Sequence, residues 1–134
     1  MIPAGRTELK KAFWHHKNSS EDCTSPSSYL LLFYAVECGL KSVYLYRTNL
    51  KTTDDIPDKL RQSHNLINWA EEMGLPPSIA SANTSFHLKK DRRRSWEIRR
   101  AHEAWRYGVV IDQNDETQLV NWLKQVAQWI EENI

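Results

Sequence analysis

Apolar residues recur along much of the chain with the three- and four-residue spacing of amphipathic helices. The clearest case is the C-terminal segment, for which Asp115 is the predicted N-cap. A second segment, Tyr29–Tyr46, is apolar on nearly all sides, as is typical of a central helix that several others cover. Ser25 and Pro26 supply its start signals. The apolar stripe of the C-terminal segment consists of Leu119, Leu123, Val126 and Ile130.

Other segments carry weaker helical patterns, and the stretches between them are polar and turn-rich. Gly74 and Gly108 are well placed to end two of these helices. Residues 107–111 alone favour a strand, and they are too few to build a sheet. The sequence therefore predicts an all-α fold, a compact antiparallel bundle of about four to five helices in one domain over residues 1–134. The weaker segments are Thr7–His16, His64–Met73 with Ser63 as its cap, and Asp91–Tyr107.

Composition limits the class of protein. Of 134 residues, 40% are hydrophobic and six are Trp, which is enough for a packed core. Four Gly and five Pro are few for a turn-rich β-sandwich. The longest apolar run, Tyr29–Val36, is too short to span a membrane, and the N-terminus shows no secretory signal, so we expect a cytoplasmic protein without membrane contact.

The cysteines and histidines show no pattern of a metal site, and we expect no cofactor. Cys23 and Cys38 do not have metal-ligand spacing. Cys38 lies in the apolar helix as a small buried side chain, although a disulfide between the two remains an alternative. His15 and His16 are adjacent, whereas two ligands on one helix face would be four residues apart. Glu37 is the one acid of its apolar segment, either paired locally or a partner for basic residues elsewhere.

Positive charge is concentrated between Lys89 and Arg100. Seven basic residues and two acids give this segment a net charge of +5, whereas the whole chain carries +1. It is either a solvated face balanced by the acidic C-terminal region, a site for nucleic-acid phosphates with Trp96 or Trp105 stacking on bases, or a site for an acidic partner protein. The candidate RNA- or partner-binding residues are Lys89, Lys90, Arg92, Arg93, Arg94, Arg100 and Tyr107.

A more specific arrangement is predicted directly after this segment. On one continuous helix, Arg99, His102 and Arg106 project from nearly the same face. An imidazole between two guanidiniums is suited to a phosphate group, because His supplies an acid or base and Arg matches phosphate oxygens. The alternative is that these are ordinary helix-face residues, with Glu103 pairing to Arg99 or Tyr107.

Short motifs in three parts of the chain resemble those of the HEPN superfamily. The segment Ser63-His64-Asn65-Leu66 is followed by Trp69-Ala70 and Gly74-Leu75, which is similar to the "His-Asp/Asn-Leu…Leu-Ala…Gly-Leu" helix of that family. Residues 101–108, ending in Arg106-Tyr107-Gly108, resemble its "Arg-Tyr" segment. The final helix, ending in Trp129-Ile130, resembles the closing helix of the HEPN bundle.

The resemblance implies a small helical bundle that often forms homodimers. Many HEPN proteins are metal-independent ribonucleases of prokaryotic toxin–antitoxin, CRISPR and antiphage systems, and others serve in binding or assembly. Active members carry an Arg followed by four to six residues and a His, and none of the five His here has that spacing.

We therefore expect a component of a prokaryotic defence or toxin–antitoxin system. We expect it to bind RNA, or a partner protein from the same operon, through the basic segment. The alternatives are a metal-independent endoribonuclease that uses His102 with Arg99 and Arg106, and a non-catalytic dimeric assembly protein. Gly-rich phosphate loops, GxSxG and HExxH motifs are absent from the sequence.

Overall fold

The computed structural model describes residues 2–21, 24–61, 65–80 and 85–134, and most of these are helical. The mostly α prediction is confirmed, but the strictly all-α form is wrong because two strands form a hairpin. The helices are α1 (Arg6–Ser20), α2 (Pro26–Thr48), α3 (Asp58–Arg61), α4 (Leu66–Glu72), α5 (Pro77–Ala80), α6 (Ala101–Tyr107) and α7 (Gln113–Asn133). The strands are β1 (Ser85–Leu88) and β2 (Asp91–Glu97), and 3₁₀ turns cover Thr53–Asp55 and Ile98–Arg100.

Helix α2 is the centre of the fold, as its apolar sequence predicts. It contacts α1, α7, α6 and α4. The start signals are confirmed, because the backbone N–H of Ser28 donates to Ser25 Oγ at 3.2 Å and Pro26 is the first helical residue. The helix ends at Asn49, which adopts a left-handed conformation with φ of 58°. Its buried side chains therefore organise the neighbouring helices around them.

A glycine in the middle of α2 allows the long helices to approach closely. A Cβ atom at Gly39 would lie 2.7 Å from Ile130 Cγ2 of α7 and 2.8 Å from Phe13 Cδ1 of α1. Both neighbours are fully buried, so neither side chain has free space into which to move. Glycine costs helix stability at such a position, and here it allows three helices to meet.

Contacts along the helices give their directions. Helices α1 and α2 are antiparallel, since Arg6 O accepts from Ser42 Oγ at one end and the His16 ring meets Tyr34 nearer the other. Helices α2 and α7 contact each other in the same N-to-C order, because Gly39 meets Ile130 and Arg47 further along hydrogen-bonds Asn133. The predicted antiparallel arrangement is therefore correct for α1 and α2 and wrong for α2 and α7.

The single helix predicted over Asp91–Tyr107 is wrong. Its first half is strand β2, which pairs antiparallel with β1, and the α-helix begins only at Ala101. Phe86 lies opposite Trp96 in the hairpin, and both contribute to the apolar side of the sheet. This cross-strand pair outweighs the helical preference of the arginines between them.

The segment before α7 pairs with the other edge of β1. Lys89 N donates to Val110 O at 2.9 Å and Asp112 N donates to His87 O at 2.8 Å, with a bridge between Leu88 and Ile111. The strand preference of residues 107–111 is thus realised as an isolated bridge. These bonds attach the hairpin to the segment that connects α6 with α7.

Two predicted caps are wrong by a few residues. Asp112 caps α7, because its Oδ2 accepts from Asp115 N at 3.2 Å. Asn65 caps α4, because its Oδ1 accepts from Ile67 N at 3.1 Å. Ser63 and His64, to which the sequence assigned that start, lie outside the described residues.

The remaining expectations on α2 have mixed outcomes. Glu37 forms an ion pair with Lys41 one turn away at 3.3 Å, so the local partner is present. Cys38 is a half-buried free thiol, and burial raises its pKa to about 11, while Cys23 lies outside the described residues.

Within the described parts of the chain, none of the helices combines the length and apolar character that crossing a bilayer requires.

Candidate nucleic-acid interface

The basic residues lie on the β1–β2 hairpin and its turn rather than on a helix. The five cations from Lys89 to Arg94, which we call the basic hairpin residues, are all exposed. Arg92 reaches Asp112 Oδ1 at 3.3 Å but keeps 72% of its side-chain surface exposed. Neither the two lysines nor Arg93 forms an ion pair with any residue that the structure describes. The basic hairpin residues are Lys89, Lys90, Arg92, Arg93 and Arg94.

A histidine–aspartate pair anchors strand β1 close to the turn of the hairpin. Asp115 Oδ2 accepts from the backbone N–H of His87 at 2.8 Å and lies 3.0 Å from Nδ1 of the same residue. These bonds tie β1, the partner strand of the arginine-bearing β2, to the first turn of α7. Sequence reasoning missed this pair, because its members are 28 residues apart and belong to no local motif.

A cleft of about 210 Å³ lies between the hairpin and α6. The half-buried ring of Trp96 forms one side of the cleft. Tyr107, the last residue of α6, also lines it and is 68% exposed. Among the lining residues that the structure describes, Arg100 and Glu103 are the only ones with charged side chains. The apolar part of the lining consists of Phe86, Leu88, Ala104 and Val109.

Two arginines connect the cleft to the basic hairpin. The Arg94 guanidinium lies 3.8 Å from the centre of the Trp96 ring, and that of Arg100 lies 5.9 Å from it. Such cation–π contacts favour a positive charge beside an aromatic wall. Arg100 also forms an ion pair through Nε with Glu103 Oε2. The cleft therefore combines an aromatic surface, a cationic rim and one oriented carboxylate.

The candidate catalytic residues lie in the helical segment after β2, but their guanidiniums face other groups. Arg99 is in the 3₁₀ turn, and its Nε donates to Glu97 Oε2 at 2.6 Å. Glu103 pairs with Arg100 instead, so the alternative that paired it with Arg99 is wrong. Arg106 Nη2 donates to the Tyr34 hydroxyl at 2.6 Å. His102 is half-buried, with its ring centre 5.1 Å from that of Phe33. Their catalytic role stays a prediction.

Arg106 instead belongs to a cluster built from three helices. The Tyr34 ring that it reaches lies 6.4 Å from the ring of His16 on α1. Burial, together with the charge of His15, lowers the pKa of His16, which favours a neutral imidazole near physiological pH. The hydrogen bond with Tyr34 raises the pKa of Arg106, which stays a cation. No sequence spacing relates these residues, since α1, α2 and α6 each supply one.

Comparison of the chain with protein-family models, with curated proteins and with solved structures yields no match. Function is therefore inferred from the geometry of the hairpin, the cleft and the Tyr34 cluster. Among the described residues, no three His, Cys, Asp or Glu side chains are grouped to hold a metal ion.

Proposed function

We propose that this protein binds single-stranded RNA through the basic hairpin residues and the adjoining aromatic cleft. The observation that carries the proposal is their juxtaposition: five exposed cations lie on the hairpin whose inner face supplies Trp96. Phosphates are drawn to Lys and Arg side chains, and bases stack on aromatic rings. Because the whole chain carries a net charge of only +1, attraction of RNA phosphates has to come from this local basic surface.

The shape of the site favours a single strand over an RNA duplex. The major groove of A-form RNA is deep and narrow, so side chains on a hairpin do not read it. An unpaired strand presents free base faces, and the cleft beside Trp96 and Tyr107 has room for one of them.

We further propose that the protein is an HEPN-like component of a prokaryotic defence or toxin–antitoxin system. The long buried α2, the amphipathic α7 and the sequence Asn65-Leu66 at the start of α4 support this relationship. On this proposal it acts in the cytoplasm as a homodimer, and an acidic partner protein from the same operon is the alternative occupant of the hairpin. The hairpin then serves as the recognition element added to the helices.

The salt dependence of binding tests the proposal. With five phosphate contacts, and a slope of about −0.7 per contact for single strands, log K should fall against log [salt] with a slope of about −3.5. Affinity for a labelled 12-nucleotide RNA, followed by fluorescence anisotropy, should thus fall about 100-fold between 50 and 200 mM salt. Absence of binding at 50 mM, or binding that salt does not weaken, would contradict the proposal.

A second candidate function is metal-independent cleavage of the bound RNA. Two contacts of α6 with α2 favour this function. Arg106 hydrogen-bonds Tyr34, and the His102 ring packs on the neighbouring Phe33, so the guanidinium and the imidazole contact adjacent residues of α2. One imidazole removes the proton of a 2′-hydroxyl, and the oxygen attacks the adjacent phosphorus. The bond from phosphorus to the 5′-oxygen breaks as that oxygen takes up a proton from a second imidazole or from water. Arg99 and Arg106 would stabilise the phosphorane.

Cleavage by wild-type protein in chelator should drop at least about 100-fold in the His102→Ala variant, since general acid–base catalysis contributes about 10²–10⁴-fold. His16→Ala is the matched control, a second half-buried imidazole that reaches Tyr34 from the other side. Gel analysis of the RNA products measures both. If wild-type protein leaves the RNA intact, the chain binds RNA without cleaving it. If only His16→Ala loses cleavage, the general base is His16 on α1 and not His102.

A further inference from the structure

We infer that the cleft between the hairpin and α6 is a binding site for one guanine base of the bound RNA. The inference rests on the proposed function and adds a base preference to it. The observation behind it is the position of the Arg100–Glu103 ion pair, which supplies the only charged groups among the described residues that line an otherwise apolar cleft.

The size of the cleft limits its occupant. Sites for drug-sized ligands occupy about 300–1,000 Å³, and this one has about 210 Å³. The half-buried Trp96 ring and the exposed Tyr107 ring line it as aromatic surfaces, which suits a planar heterocycle. One base therefore fits the cleft, while the charged backbone of its nucleotide stays outside, beside Arg94 on the Trp96 ring.

The hydrogen-bonding groups of the ion pair select among the four bases. An ionised carboxylate only accepts hydrogen bonds, and a guanidinium only donates them. The pairing edge of guanine presents two adjacent donors, N1–H and N2–H₂, next to the acceptor O6. Uracil presents one donor between two acceptors, and adenine and cytosine each present one donor beside an acceptor. Guanine alone therefore engages both oxygens of Glu103 and leaves O6 for Arg100.

The ion pair also prepares the carboxylate for this role. Arg100 Nε donates to Glu103 Oε2, which holds the side chain in one orientation against the cleft wall. The guanidinium has further N–H groups for the base oxygen, and each carboxylate oxygen has a second lone pair. Because about a third of the Glu103 side chain is exposed (32%), a base can reach it without displacing α6.

Base substitution in a short RNA tests the inference. Three uridine heptamers that differ only at the central position, with guanosine, inosine or adenosine, are titrated with the full chain at 50 mM salt by fluorescence anisotropy. We expect the guanosine heptamer to bind about 10-fold more tightly than the adenosine heptamer, since a bidentate contact discriminates to that extent. Inosine lacks the N2 amino group and should lie between them.

Paired variants assign the preference to the cleft. Glu103→Gln should abolish it, because the amide replaces one acceptor by a donor that opposes the N–H groups of guanine. Glu97→Gln is the matched control, because Glu97 is the last residue of β2, pairs with Arg99 of the 3₁₀ turn and does not line the cleft. Circular dichroism and unchanged affinity for the all-uridine heptamer verify that Glu103→Gln is folded.

Each result has a separate meaning. Equal affinity of wild-type protein for all three heptamers overturns the guanine site and leaves RNA binding intact. A guanosine preference that persists in Glu103→Gln overturns the assignment to this cleft. Failure to bind any heptamer contradicts the proposed function itself.

Discussion

Phe33→Ala is expected to lower the free energy of unfolding by about 3–5 kcal/mol, the range for removing a fully buried phenylalanine. Phe33 is completely buried on α2, and its ring centre lies 6.5 Å from that of Trp105 and 5.1 Å from that of His102. It is therefore one of the buried contacts between α2 and α6, beside that of Tyr29 with Trp105. Urea unfolding followed by circular dichroism measures the loss.

An exposed aromatic residue on the same helix provides the control. Tyr46 is 58% exposed, and its main described contact is the Arg6 guanidinium 3.9 Å from the ring centre. Tyr46→Ala should cost less than about 1 kcal/mol, as expected of a surface cation–π contact. Equal losses in the two variants would show that α6 does not depend on Phe33.

The long helices could be predicted from the sequence because their signals are local. In α7 the apolar residues recur within each turn, and in α2 the cap at Ser25 lies beside the first helical residue. Neither signal depends on the rest of the fold. The relative direction of α2 and α7 depends on how distant segments meet at Gly39, and no local spacing records that contact.

The sequence predicts a helix in place of strand β2 for the same reason. Arginine favours helices, and residues 91–97 contain three of them. The stronger influence is the pairing of Phe86 with Trp96, which exists only once the two strands meet. The alternation of Phe86 with Leu88, and of Trp96 with Ile98, was the available strand signal, although each run is very short.

The candidate site also has one part that the sequence predicts and one part that only the fold creates. Clustering of cations is visible in the sequence, and the structure places these residues together on the hairpin. The Arg106–Tyr34 hydrogen bond joins residues 72 positions apart, and the cleft needs both the hairpin and α6. Charge is a property of composition, whereas a binding cleft is a property of tertiary packing.

Replacing Lys89, Lys90 and Arg93 together by alanine is expected to weaken binding of single-stranded RNA about 100-fold at 50 mM salt, since each exposed ion pair with a phosphate contributes up to about 1 kcal/mol. The salt slope should decrease by about 2, from three contacts at about 0.7 each. None of the three side chains has an ion-pair partner among the described residues, so the fold should be unaffected. Anisotropy titrations at several salt concentrations give both quantities.

The matched control removes the same charge from another surface. Lys10 and Lys11 on α1 and Lys51 after α2 are exposed and form no ion pair within the described part of the chain. Replacing these three by alanine lowers the net charge equally, so a loss caused by overall charge would appear in both triple variants. We expect the control to keep the wild-type salt slope, because these three lysines lie outside the hairpin and make none of the phosphate contacts assigned to it. Equal losses in both would mean that RNA responds to the charge of the whole molecule, and the hairpin would then not be the binding surface.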